Sequence, residues 1–462
     1  MMRKVRISGI MGLVVSAALV LSACGNEVPA EQEQATEQPA QGQETVETAD
    51  STDVTDAGFT PALDTEASIT VNVVGGFDNF PSLEKVALDF NEYYPNVLIN
   101  YQKIDDYSNE RDMLLTDNPD VDIFMANNTV VKNDPVIMDV VVDLADENLN
   151  FDLSALDEGV LESAKSGDSL YRLPLYSVCS GLIVNKTLLE ENGLSIPTNY
   201  DEFVNCCQVL SEAGYTPIYG YDTDGAAIFS KGLYNSMVMT MAAKANTDGT
   251  ADDALNAGEE GAEEIFLEPL KREQEFAELG YYSKEANASI TNSYEEAILR
   301  FFEGDVPFLA CTSETMSGTA KRESKSEAFT ANPFEYTFIA APLGDGGAYI
   351  YVNSSEGLAI NKNGANLDYA EEFLRFYCQV DELNSSADIK GMLSTSSQPT
   401  SAECFPDLNL SDSDYVAYIS DLYLEAAPSQ TVDEIIRLVS DEGVSAEDAL
   451  GRYQEIKAGL ED

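Results

Sequence analysis

The 462-residue chain carries 82 Asp and Glu against 25 Lys and Arg, and it contains no His and no Trp. A formal charge of −57 repels phosphate backbones and anionic lipid, which excludes nucleic acid as a partner and leaves any membrane contact to something other than charge. Without imidazole, serine and cysteine triads and most zinc or iron sites lose a usual ligand or base; without indole, the 23 Tyr and 19 Phe must supply any flat apolar platform.

Arg3, Lys4 and Arg6 precede an apolar segment over residues 7–21, short for a membrane span but of signal-peptide length. It ends in Leu21-Ser22-Ala23-Cys24, which resembles a bacterial lipobox, so residues 1–23 are expected to be removed and Cys24 to carry the lipid anchor. A plain secretory cleavage site is the alternative. From residue 25 to residue 66 there are eleven acidic residues and no basic one, among Gln, Thr, Pro and Ala. Residues 24–66 are therefore expected to form a lipidated, disordered and self-repelling tether.

The remaining ~395 residues exceed what one hydrophobic core usually serves, so two lobes are expected. Residues 68–74 alternate as a strand and break at Gly75-Gly76, after which Ser82 opens a helix with Leu83, Val86, Ala87 and Phe90 on one face. Residues 97–104 and 121–125 read as further strands with a helix over 109–115 between them, a βαβαβ order that predicts a parallel sheet. Ligands collect at the carboxyl ends of such strands, so the loops 75–80 and 126–129 are candidate contacts. The Gly-Gly pair matches neither G-x-G-x-x-G nor a Walker pattern, and a tight turn explains it.

Residues 170–218 are more specific. A proline-ended turn leads into an apolar strand over 181–185 and a short helix over 186–191 ended by Gly193; a second helix then repeats Phe203, Cys206, Cys207 and Leu210 at helical spacing. The order Leu-Tyr-x-Leu-Pro, apolar strand, Asn-Lys, Gly-Leu, Pro-Thr-x-Tyr-Asp-Glu-Phe and Gly-x-x-Pro-Ile resembles the sugar-type extracellular solute-binding proteins of ABC importers, the maltose-binding-protein-like family. Val184 departs from the Tyr usual before Asn-Lys, which alters a cleft wall and not the fold.

Beyond it, residues 216–221 form a short strand candidate ending at Tyr219, Tyr221 and Asp222, and residues 226–243 a long apolar helix. Residues 246–264 hold seven acids and no base without EF-hand spacing, and are read as a solvated loop. Residues 293–310 are similar to the family's helix, glycine and return strand, but the usual Gly-Trp that follows is replaced by Cys311-Thr312-Ser313-Glu314, putting charge where an aromatic sugar contact would stand. Residues 336–342, 346–353, 356–360 and the helix 369–377 are similar to the family's third block. Near the end, Ser445 and Asp448 form a capping pattern for a helix over 447–457. Of the cysteines other than Cys24, positions 179, 206, 207, 311, 378 and 404 show no metal spacing and are expected to be buried thiols.

The resemblance implies an α/β, two-lobed periplasmic-binding-protein-like fold, each lobe a mostly parallel sheet flanked by helices, with a three-segment hinge. Residues 67–176 and 311–362 are assigned to the first lobe, and 177–310 and 363–462 to the second. The implied function is capture of a small polar solute, a sugar or oligosaccharide, by lobe closure, with delivery to the permease subunits of an ABC transporter at the extracytoplasmic face of the cell membrane. A monomer without metal or organic cofactor is expected. The ligand is expected to touch Phe77, Asp78 and Asn127 on one side, Tyr221 and Asp222 on the other, and Tyr176 and Glu314 beside the hinge, since each lies beyond a predicted strand or at a crossing. A receptor for a cationic solute such as a polyamine, using Asp78, Asp222 and Glu314, remains open. A hydrolase using two carboxylates is a remote third class, because no acid pair stands in a Tyr- or Gly-framed motif.

Overall fold

The computed structural model describes residues 58–105, 120–126, 135–220, 231–282, 287, 290, 294–400, 405–408 and 413–461. The first sheet begins with β1 (Ile69–Gly75), an alternating run rich in Val. Helix α1 (Pro81–Phe90) follows, with Pro in its first turn and Ser82, Leu83, Val86 and Phe90 buried. Then come β2 (Val97–Lys103) and β3 (Ile123–Ala126), both parallel to β1 as expected. The expected helix over 109–115 lies outside the described residues.

After α2 (Glu158–Ala164) and the two-residue β4 (Leu173–Pro174), the chain passes directly into β5 (Tyr176–Asn185), the ten-residue spine of the second sheet. Asn185 then caps the short helix Lys186–Glu191. Asn199 caps α3 (Tyr200–Glu212) by accepting from the Glu202 N–H, while the Glu202 carboxylate accepts from Thr198, a reciprocal arrangement that fixes the helix start. The chain continues through β6 (Ile218–Tyr219), α4 (Ser236–Ala245) and α5 (Leu267–Glu278), then β7 (Phe308–Thr312), α6 (Ser313–Thr319), β8 (Tyr336–Ala340) and β9 (Ala348–Ser354). It returns to the first sheet with β10 (Gly357–Ile360), covers it with α7 (Leu367–Tyr377) and α8 (Val380–Lys390), and comes back through β11 (Leu393–Ser394), β12 (Ser413–Tyr418) and α9 (Ala426–Ser440).

The sheet orders are β2-β1-β3-β10-β4 and β12-β9-β5-β7-β6, with β8 and β11 also paired to β5. A mixed α/β fold with two sheets therefore stands. The expectation of mostly parallel sheets holds for β1, β2 and β3 but not for the second sheet. There β5 runs antiparallel to β7, β8, β9 and β11, and only the β6–β7 and β9–β12 pairs are parallel.

Each sheet has its own apolar core. Phe373, Leu374 and Tyr377 of α7 and Leu383 and Ala387 of α8 belong to the core of the first sheet, whereas β7, β8 and β9 lie in the second. The expected grouping of 311–362 with the first lobe and 363–462 with the second is thus displaced: the chain crosses at Leu175, at Ser355–Glu356 and at Met392–Leu393. Helical periodicity marks α7 as amphipathic without saying which sheet it covers. Order also begins earlier than residue 67. Phe59 packs edge-on to Tyr93 and Phe376 with ring centroids 5.3 and 5.0 Å away, the Ala62 N–H donates to Glu372 Oε1 at 2.8 Å, and Arg375 Nη2 donates to the Thr60 carbonyl at 2.8 Å. Within the acidic stretch 246–264, Ala251–Ala257 is a helix and not loop. Cys179, Cys206, Cys207, Cys311 and Cys378 are free and buried; Cys404 lies outside the described residues. Ser445 Oγ accepts from the Asp448 N–H at 3.2 Å, the expected cap.

Candidate functional site

The carboxyl ends of the parallel strands meet the hinge along one edge. Gly75 of β1 pairs with Lys103 of β2, while Gly357 of β10 pairs with Ala126 of β3 and with Pro174 of β4. All three crossings gather there. The Leu175 N–H donates to the Glu356 carbonyl at 3.2 Å, the Ser355 N–H to the Tyr176 carbonyl at 2.8 Å, and Thr395 Oγ1 to the Pro174 carbonyl at 2.9 Å. Gly357 permits this approach: a Cβ on it would stand 2.4 Å from the Leu173 carbonyl oxygen and 2.8 Å from Arg172 Nη1.

Beneath the edge lies a buried polar base. Arg172 is fully enclosed, donates from Nη1 to the Ser355 carbonyl at 2.8 Å and from Nη2 to Ser354 Oγ, and so ties the first crossing to the second. Burial pushes its guanidinium down to about 10, against the opposing pull of Glu356. The Tyr176 hydroxyl lies 2.6 Å from Ser82 Oγ on α1 and 3.3 Å from Ser386 Oγ on α8, and Ser386 Oγ is 2.6 Å from the Tyr377 hydroxyl. Burial raises the Tyr176 phenol above its ordinary value, so it stays neutral and can both donate and accept.

Above the base, accessible side chains converge from both sheets. Phe77, in the loop after β1, is half-buried, packs edge-on to Phe80 at 5.2 Å, and has the Lys390 ammonium 3.8 Å from its ring centroid. Lys390 ends α8 at the third crossing, where Gly391 takes the left-handed conformation at φ 70°. Glu314, in the first turn of α6, follows β7 at the hinge end of β5, where the Cys179 N–H donates to Ser313 Oγ at 3.1 Å. Glu314 is open to solvent, yet desolvation by the surrounding protein pushes its carboxyl up, Glu356 adds to that shift, and Lys390 opposes it. Burial lowers the Lys390 ammonium, Glu356 and Glu314 oppose this, and Lys321 adds to it. These mutual influences place Glu314 and Glu356 within electrostatic reach of Lys390, the residue that lies over the Phe77 ring.

Of the residues expected to touch ligand, Phe77 and Glu314 are therefore brought together, through Lys390. Asp78 lies beside Phe77 but turns outward: its side chain is 81% exposed and pairs with Lys103 at 2.6 Å, which holds its carboxyl below the usual range. Tyr176 sits lower, in the core, with no surface open to a solute. Asn127, Tyr221, Asp222 and Cys24 lie outside the described residues. The residues passed over in the sequence are Arg172, Glu356 and Lys390. Arg172 and Glu356 fall inside the family-like blocks, where the x of Leu-Tyr-x-Leu-Pro and the residue before the Gly-Leu-Ala-Ile strand carried the available signal. Lys390 had none, because nothing local couples the end of α8 to the loop after β1.

A family model for bacterial extracellular solute-binding protein matches residues 77–378, more than half of the chain. The Multiple sugar-binding protein of Streptococcus mutans serotype c is 23% identical over 232 residues, 49% of this chain, and the match spans only about half of that relative (51%). Among solved structures, the apo form of RafE from Streptococcus pneumoniae has a TM-score of 0.63 at 14% identity, covering 86% of this chain and 100% of its own. RafE in complex with raffinose gives 0.59 at 13%, covering 85% and 100%. A probable secreted solute-binding lipoprotein from Streptomyces coelicolor gives 0.64 at 16%, covering 84% and 98%. At these identities the structural likeness speaks for the two-lobed fold alone, and the family match speaks for a solute-binding protein. The chain belongs to the bacterial extracellular solute-binding protein family.

Proposed function

We propose that this protein captures a sugar or short oligosaccharide between its lobes, outside the cell, and presents the closed form to the permease of an ABC importer. The observation that carries this reading is the hinge floor, where the half-buried Phe77 ring meets Lys390, and Lys390 in turn lies within electrostatic reach of Glu314 from the other lobe and Glu356 from the crossing strand. A ring covers the apolar face of a sugar, and carboxylates accept from its paired hydroxyls. Phe77 and Glu314 contribute from the described residues, with Asp78 beside Phe77 but engaged by Lys103, and Tyr176 supports the floor from below; Asn127, Tyr221 and Asp222 are further contacts proposed from the sequence alone. The sugar-binding name of the S. mutans relative and the raffinose bound to RafE favour the same class.

Delivery at the membrane follows from Cys24, which carries the lipid anchor at the head of the acidic tether. Replacing Cys24 with Ser should move the protein from the membrane fraction to the medium, and a variant that stayed bound through a high-salt wash would remove the anchor from the reading. The solute class is tested by thermal shift across neutral sugars, amino sugars and polyamines. A ligand present at about 100 times its Kd stabilises the folded state by about 2.7 kcal/mol, a readily measured rise in Tm. Stabilisation by no sugar, or turnover of a bound glycoside, would sink the proposal.

A further inference from the structure

The Phe77 face that a sugar ring needs is already covered. The cation on it, the Lys390 ammonium, comes from the chain itself, 3.8 Å from the ring centroid. An aromatic face with carboxylates beside it is the chemistry that recognises an ammonium group. Here the carboxylates are Glu314, from the second lobe, and Glu356, from the crossing strand. Desolvation is the first cause that raises the Glu314 carboxyl, Glu356 adds to it and Lys390 opposes it, so both acids lie within electrostatic reach of the ammonium that covers Phe77.

A neutral sugar that displaced Lys390 from Phe77 would lose the cation–π contact and leave the two acids less well compensated. A solute bringing its own amine would restore both. We propose that the solute is a sugar bearing a protonated amine, and that Lys390 is the specificity-determining residue, an internal stand-in for that amine while the cleft is empty. This rests on the sugar-binding reading above and narrows it. The amine sits against Phe77 between Glu314 and Glu356; Lys390, on the flexible stem at the end of α8, swings outward to make room.

The test compares a glucosamine disaccharide with its N-acetylated counterpart by calorimetric titration, in wild type, Glu314→Gln and Lys390→Met, with a panel of neutral sugars run alongside. Met keeps most of the lysine stem, and a melting curve for each variant establishes that it is folded. Wild type should prefer the amine by about tenfold, the worth of one charge-assisted hydrogen bond. Glu314→Gln should erase most of that preference, and Lys390→Met, by removing the internal competitor, should enlarge it severalfold. A ratio near one in wild type, or a ratio unmoved by both substitutions, would overturn the inference. Binding of neutral sugars without the amine preference would do so while leaving the sugar-binding reading standing; failure of every sugar to bind would overturn both.

Discussion

Two neighbouring layers at the hinge use the same chain segments for different ends. In the lower one, Arg172, Tyr176, Ser354, Tyr377 and Ser386 are at most 3% exposed, and their polar groups, save Arg172 Nε, meet one another, Ser82 or a backbone carbonyl. In the upper one, Phe77, Glu314, Glu356 and Lys390 remain accessible and influence one another mainly through charge. Only one residue separates the base from the floor at Ser355–Glu356, and one helical turn separates them at Ser386 and Lys390. Position beyond a strand end therefore does not by itself assign a side chain to ligand. What assigns it is whether the side chain is closed to solvent, as in the base, or remains open to it, as on the floor.

The largest effect expected of this difference is on Arg172. Arg172→Ala removes a fully buried guanidinium that joins two crossings and strands Ser354, which should cost about 3 kcal/mol in urea unfolding. Lys390→Ala, one layer up, should stay within about 0.5 kcal/mol. Equal losses in the two variants would erase the distinction between base and floor.

A smaller, crossed pair sharpens it. Tyr176→Phe keeps the ring and removes a hydroxyl shared with Ser82 and Ser386, so stability should fall by about 1 kcal/mol while solute affinity is unchanged. Phe77→Ala should weaken solute binding by about 1–2 kcal/mol. Calorimetric titration and denaturant unfolding on the same two proteins measure both quantities, and a Tyr176→Phe protein with weakened binding but intact stability would reverse the assignment.

The sequence carried the segments better than their assembly. The period-2 run of β1, the stripe of Phe203, Cys206, Cys207 and Leu210 and the Ser445 cap are local events, set by residues within a few positions of one another, and each is found where the spacing puts it. The side taken by α7, the antiparallel returns onto β5 and the base around Tyr176 depend on partners such as Ser386, 210 residues away in sequence, which no local period encodes. From the sequence Tyr176 reads as a cleft ring for the same reason: an aromatic at a crossing looks alike from above and below. The meeting of Phe77 with Glu314 was legible only through the family-like order, and Lys390 between them was not.

Helix α8 shows the change of environment along a single stripe, since Glu382, Ser386 and Lys390 follow at intervals of four and share one face. Ser386 belongs to the base and Lys390 to the floor, while Glu382 faces α1 at the outer end. Burial pushes the Glu382 carboxyl up to about 7, Asp89 adds to that, and Lys85 opposes it. In the unfolded chain the same group ionises near the usual carboxylate value, so between that value and about pH 7 the folded protein holds a proton that the unfolded one has released. The neutral carboxyl's contribution is thus fully present at low pH and is lost as pH rises through this window. Glu382→Gln keeps the shape and removes the titration. A tenfold difference in proton affinity between folded and unfolded chains is worth about 1.4 kcal/mol, and because the carboxyl is partly open to solvent the whole effect should come to about 1 kcal/mol. Urea unfolding of both proteins at pH 5 and pH 8 should show the variant gaining about that much on wild type at the higher pH. The same gap at both pH values would mean that Glu382 is as well solvated as a surface acid, and that the change of environment along α8 begins only at Ser386.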